Sequence, residues 1–83
     1  MLFNKTAEEM FRDLGYCRAS IGSAIVYTHN ETMSSISFCF QSKEVTFQHY
    51  LENTEIEFKR GFFLLNNAEL KAIYVQLYEL GWL

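Results

Sequence analysis

The chain has 83 residues, 49 % of them hydrophobic, and a net charge of −3, which bounds it to one small domain spanning 1–83. Its seven Lys and Arg are scattered, with Lys59-Arg60 the longest basic cluster, and Glu52, Glu55 and Glu57 form only a modest acidic patch, so neither a nucleic-acid binder nor a DNA mimic is expected. No apolar run reaches membrane-spanning length, and with Met1 to Lys5 too short and polar for a signal peptide and only two cysteines, the expected setting is a reducing cytoplasm with free, mostly buried thiols.

Thr6-Ala7-Glu8-Glu9 opens the first predicted helix. Thr6 can accept from the Glu9 amide while the Glu9 carboxylate reaches back, a reciprocal capping box. Ala7, Met10, Phe11 and Leu14 then recur at helical spacing and make one apolar stripe. Gly15 stops the helix, and Tyr16 can fold back on Phe11. Leu14-Gly15-Tyr16 is matched at the other end of the sequence by Leu80-Gly81-Trp82, a second stop of the same kind.

A strand is predicted over roughly Ser23 to Thr28, followed by a turn around His29-Asn30-Glu31-Thr32. Its register is open: Val26 or Ile25 can face Ile36. Next, Ile36, Phe38 and Phe40 alternate with Ser35, Ser37, Cys39 and Gln41, and Val45, Phe47 and Leu51 alternate with Thr46, Gln48 and Tyr50. Folding these runs over Ser42-Lys43 sets Phe40 opposite Val45, Phe38 opposite Phe47 and Ile36 opposite His49. Every large apolar side chain then shares one face, with Cys39, Ser37, Thr46 and Gln48 on the other. Ser-Lys is a poor tight-turn pair, which allows a four-residue loop. The pattern breaks between Leu51 and Phe58, and a weaker strand is expected around Gly61-Phe62-Phe63-Leu64.

Asn66 caps the last predicted helix, Glu69 completes its box, and Leu65 with Leu70 supplies a hydrophobic staple. Leu70, Ile73, Leu77 and Leu80 form its expected core stripe, widened by Tyr74, with Val75 and Tyr78 off its centre. The resulting order predicts an α+β two-layer domain: an N-terminal helix, a three- to four-stranded antiparallel sheet and a C-terminal helix. Both helices should cover the apolar sheet face and leave the other face wet or free for a partner.

Chemistry is sparse. No Cys-x-x-Cys or paired-His spacing suggests a metal site, and no glycine-rich loop cradles phosphate. Cys39 and His49 fall on opposite faces of the predicted hairpin, which argues against a nucleophile–base pair. No catalytic residue, metal or cofactor is therefore assigned. What stands out is 17 % aromatic content, more ring surface than so small an interior is expected to hide. Phe62 and Phe63 are adjacent, so in a strand one must leave the helix-covered side. Tyr74, Tyr78 and Trp82 recur every fourth residue along the last helix. These five residues are the candidate anchors for a protein partner or for a homodimer.

Thr6-Ala7-Glu8-Glu9-Met10-Phe11 with Leu14-Gly15-Tyr16, the central hairpin from Ile36 to Phe47, the capped helix Glu69-Leu70-Lys71-Ala72-Ile73 and the ending Glu79-Leu80-Gly81-Trp82-Leu83 together resemble small phage- and prophage-encoded proteins of Gram-positive bacteria. Cys17, Cys39 and Gly61-Phe62-Phe63 depart from that pattern. The shared residues are capping and packing signals, so no functional residue transfers. The resemblance implies the cytoplasm of an infected or lysogenic bacterium and a non-catalytic protein that works by occupying a host protein, in the manner of an anti-CRISPR. A self-assembling structural accessory and a small-ligand sequestering protein are the alternatives.

Overall fold

In the computed structural model, residues 4–48 and 65–83 are described. The predicted strand at 61–64, Phe62, Phe63, His49 and the acidic stretch 52–57 lie outside the described residues. Helix α1 spans Ala7–Asp13, strands β1 to β4 span Tyr16–Ile21, Ala24–His29, Ser35–Cys39 and Glu44–Gln48, and helix α2 spans Asn67–Glu79. The strands form an antiparallel sheet in the order β1-β2-β3-β4, a plain meander. This is the expected α+β two-layer arrangement.

The ends of the helices follow their local chemistry. Both capping boxes are complete: Thr6 with Glu9, and Asn66 with Glu69. At the end of α2, Gly81 takes φ +78°, its N–H donates to Tyr78 C=O at 3.1 Å, and the Trp82 N–H donates to Leu77 C=O at 2.9 Å. That pair of bonds is a Schellman stop, which satisfies carbonyls the helix would otherwise leave orphaned. At the end of α1, Gly15 has φ +98° and its N–H donates to Arg12 C=O, after which Tyr16 enters β1.

Strand β1 is absent from the sequence-based expectation. Its signal was Gly22-Ser23, a two-residue connection closing on the pair Ile21↔Ala24. Gly22 has φ +58°, as the first central residue of a type II′ hairpin turn requires. The β3–β4 register also differs from expectation by two residues. Phe38 lies opposite Val45 and Ile36 opposite Phe47. Ser42-Lys43 cannot make a tight primed turn, so residues 40–43 form the loop, with Lys43 at φ +56° and its N–H donating to Cys39 C=O at 2.8 Å. A shift of two keeps every side chain on its face, but it moves Phe40 off the strand into an exposed position. Opposite Ile36 in β2 stands Tyr27, and Ile25 pairs with Phe38.

The helices cover one face of the sheet. Phe11 of α1 stacks on Tyr27 with ring centroids 4.0 Å apart and meets Tyr16 and Phe38 edge-on at 5.5 and 6.4 Å. Ile25, Ile36 and Ala72 complete this buried cluster, and aromatic pairs of such geometry add about 0.5–1.5 kcal/mol each beyond area burial. Where apolar packing meets α2, three polar bonds fasten the helix. Tyr16 OH donates to Glu69 Oε2 at 2.7 Å, Tyr27 OH donates to the buried Gln76 Oε1, and the Ala7 N–H of α1 donates to Glu79 Oε2 at 2.9 Å.

Candidate functional site

The expected stripe of α2 is rotated in the structure. Ala72, Val75 and Gln76 are its buried residues, while Ile73, Leu77, Leu80 and Trp82 are partly buried against the core. Leu70 and Tyr74, assigned to the core stripe by periodicity, are 50 % and 49 % exposed, and Tyr78 is 44 % exposed. The reason is the polar fastening: Glu69 and Gln76 bond to the tyrosines of the sheet, and a helix turned to satisfy those two contacts carries Val75 inward and Leu70 outward. At 100° per residue, Leu70, Tyr74 and Tyr78 fall in one row on the side opposite Ala72 and Gln76. Trp82 leaves that row, because the Schellman stop folds the chain back and sets its ring against the core.

The second surface is the sheet face away from the helices. The observed registers place Cys17, Ala19 and Ile21 of β1 beside Ala24, Val26 and Thr28 of β2. Ser35, Ser37 and Cys39 of β3 and Glu44, Thr46 and Gln48 of β4 continue the same face. The expected set Cys39, Ser37, Thr46 and Gln48 does share this side. Small and hydroxyl side chains dominate it, and Glu44 is its one charge. A shallow hollow of about 440 Å³ is lined by Val26, Thr28, Met33 and Ser35. Met33 sits at φ +62° and is 56 % exposed. This left-handed geometry is costly for a long side chain, and the turn supports it: the Met33 N–H donates to His29 C=O at 3.1 Å, and His29 Nδ1 accepts from the Glu31 and Thr32 amides.

Titratable groups are dispersed. Among the described residues no three His, Cys, Asp or Glu converge to hold a metal ion. Both cysteines are free. Contrary to expectation, Cys17 is exposed, its thiol donating to Asn30 Oδ1 at 3.2 Å. Cys39 is half-buried, and the Ser42 hydroxyl together with the Ser42 and Gln41 amides holds its thiol below the usual value. His29 belongs to the β2–β3 turn and meets Tyr16 edge-on at 4.9 Å. Burial pushes both core tyrosines up: desolvation, opposed by the Arg18 charge and helped by Glu8 and Glu79, carries Tyr27 to about 12, and desolvation with the Glu69 hydrogen bond raises Tyr16. These tyrosines work as neutral donors in the core.

No helix among the described residues is long and apolar enough to cross a membrane. Comparison with known proteins found no matching family model, curated protein or solved structure.

Proposed function

We propose that the chain is a non-catalytic binding module that recognises a protein partner through the outer row of α2, formed by Leu70, Tyr74 and Tyr78. The observation that carries this reading is their exposure, between 44 % and 50 %, on the side of the helix turned away from the sheet. Tyr and apolar side chains spaced one turn apart are suited to lie across a groove or a second helix. Trp82, half-buried beside that row, supports its end. Phe62 and Phe63 remain candidates on the sequence argument that adjacent aromatic residues of a strand cannot share a face. The phage-like residues of the chain suggest a host protein as the partner, with counter-defence, as in anti-CRISPR action, as the biological role and the bacterial cytoplasm as the place.

The test is affinity capture from host lysate, followed by titration of the purified captured protein. Tyr78→Ala should weaken that binding by about 1 kcal/mol or more if Tyr78 is an anchor, with circular dichroism showing that the variant is folded. Equal affinity for the Tyr74→Ala and Tyr78→Ala variants and the unaltered chain would remove the outer row of α2 as the binding surface.

A further inference from the structure

We propose that β1 pairs edge to edge with β1 of a second copy of this chain, joining two four-stranded sheets into one about a two-fold axis at Ala19. Among the described residues β1 is an outer strand of the sheet, and Cys17 through Ile21 are all exposed. The hydrogen-bond parity follows from the neighbouring bonds. The Asn30 N–H donates to Gly15 C=O, while the Phe40 N–H donates to Ser23 C=O and the His29 N–H to Ser34 C=O. Odd-numbered residues of β1 thus bond to β2, and the N–H and C=O groups of Arg18 and Ser20 point outward, away from it. An outward ladder of this kind accepts an extended strand and little else.

Natural edge strands are usually blunted by proline, a bulge or added charge. β1 has none of the first two: the chain contains no proline, and the β1–β2 register runs unbroken from Tyr16↔His29 to Ile21↔Ala24. Its one charge, Arg18, is engaged by Glu8 with Nη1 and Oε1 3.5 Å apart. Charge also selects the register. Of the two symmetric pairings with greatest overlap, one sets Arg18 against Arg18 of its twin and is disfavoured. The other sets Arg18 opposite Ser20, Cys17 opposite Ile21 and Ala19 opposite itself. In that arrangement the exposed Ile21 gains an apolar neighbour, and the small-residue faces of the two sheets become continuous.

Light scattering of the full chain over a concentration series tests the pairing. The mass should rise from 9.8 kDa toward twice that value. Ser20→Pro removes an outward N–H but no bond to β2, and the two-fold axis counts the loss twice, so dimerisation should weaken about thirty-fold with circular dichroism unchanged. If proline perturbs the fold, Ser20→Lys keeps the backbone and places a cation opposite Arg18; dimerisation should weaken and recover at high salt. In a Cys17→Ser, Cys39→Ser background, Ala19→Cys should form an intermolecular disulfide, since Cα atoms of a non-hydrogen-bonded antiparallel pair lie about 4.5 Å apart. A mass that stays monomeric at the highest concentration, a dimer indifferent to both Ser20 substitutions, or a dimer in which Ala19→Cys does not cross-link would overturn the proposal.

Discussion

Two glycines with similar backbone geometry do different work. Gly81 is left-handed with open space around it, so a methyl group there meets nothing within 4 Å. Gly15 is also left-handed, and a Cβ added to it would lie 2.8 Å from His29 Nε2. Gly81→Ala should cost about 1 kcal/mol, the conformational penalty alone. Gly15→Ala should cost more, because it also displaces a ring that is held by Tyr16 and by the two amides on Nδ1. Urea titration of the two variants checks the order; equal midpoints would show that the His29 contact is slack. Tyr27 and Gln76 make a second residue-scale case. Tyr27→Phe strips the donor from a buried amide oxygen and should destabilise by about 1–3 kcal/mol. Burial of the same hydroxyl sets an alkaline limit. Tyr27 is raised from 10.0 to about 12, so the folded state holds a proton that the unfolded chain releases between those values. Its contribution is complete below pH ~10 and is lost as pH rises toward about 12, so unfolding should set in at lower pH in Tyr27→Phe only if the bond itself, rather than proton linkage, dominates. Spectrophotometric tyrosine titration alongside circular dichroism separates the two: in the native protein Tyr27 should ionise together with unfolding.

At the scale of the element, α2 is held by polar groups as much as by apolar ones. Glu69 serves twice, accepting the Asn66 N–H with Oε1 and the Tyr16 hydroxyl with Oε2. Glu69→Ala should therefore cost more than Asn66→Ala, which removes a cap worth about 1 kcal/mol. Thermal unfolding of the pair measures the excess, and equal midpoints would show that the Tyr16 bond adds nothing. Periodicity points to Leu77 as a deep core residue, but Leu77 is only partly buried and Val75 is sealed at 1 % exposure. Val75→Ala should lose about 2 kcal/mol, and Leu70→Ala close to nothing from the core. The helix caps, the Schellman stop and the Tyr16–Phe11 contact were all legible in the sequence because each involves residues within a turn or two of one another. The rotation of α2 was not legible, because Tyr16 and Tyr27, the residues that orient it, are 53 and 49 positions away.

At the scale of the whole molecule, the meander places four strands side by side with both helices on one face, and the described residues offer two kinds of surface for interaction. One is the outer row of α2. The other is the edge of β1 with the small-residue face behind it. They lie on different elements, so a host partner on α2 and a second copy on β1 are compatible, and a titration with the α2 variants should leave the concentration dependence of the mass unchanged. Among the described residues Ile21, Met33, Phe40, Val45, Leu70, Tyr74 and Tyr78 are exposed.

Local sequence determined the helix boundaries, the alternation of the central hairpin and the α+β class, since capping, stop and period-two signals act over a few residues and depend on nothing else. Tertiary structure decided the β3–β4 register, the inclusion of β1 and the side of α2 that meets solvent. Each of these turned on a distant contact or a turn geometry: the loop at 40–43 moved the ladder by two, Gly22 closed a hairpin onto a strand of mixed pattern, and two buried tyrosine hydroxyls took precedence over leucine spacing because leaving them unbonded in the core costs more than exposing Leu70.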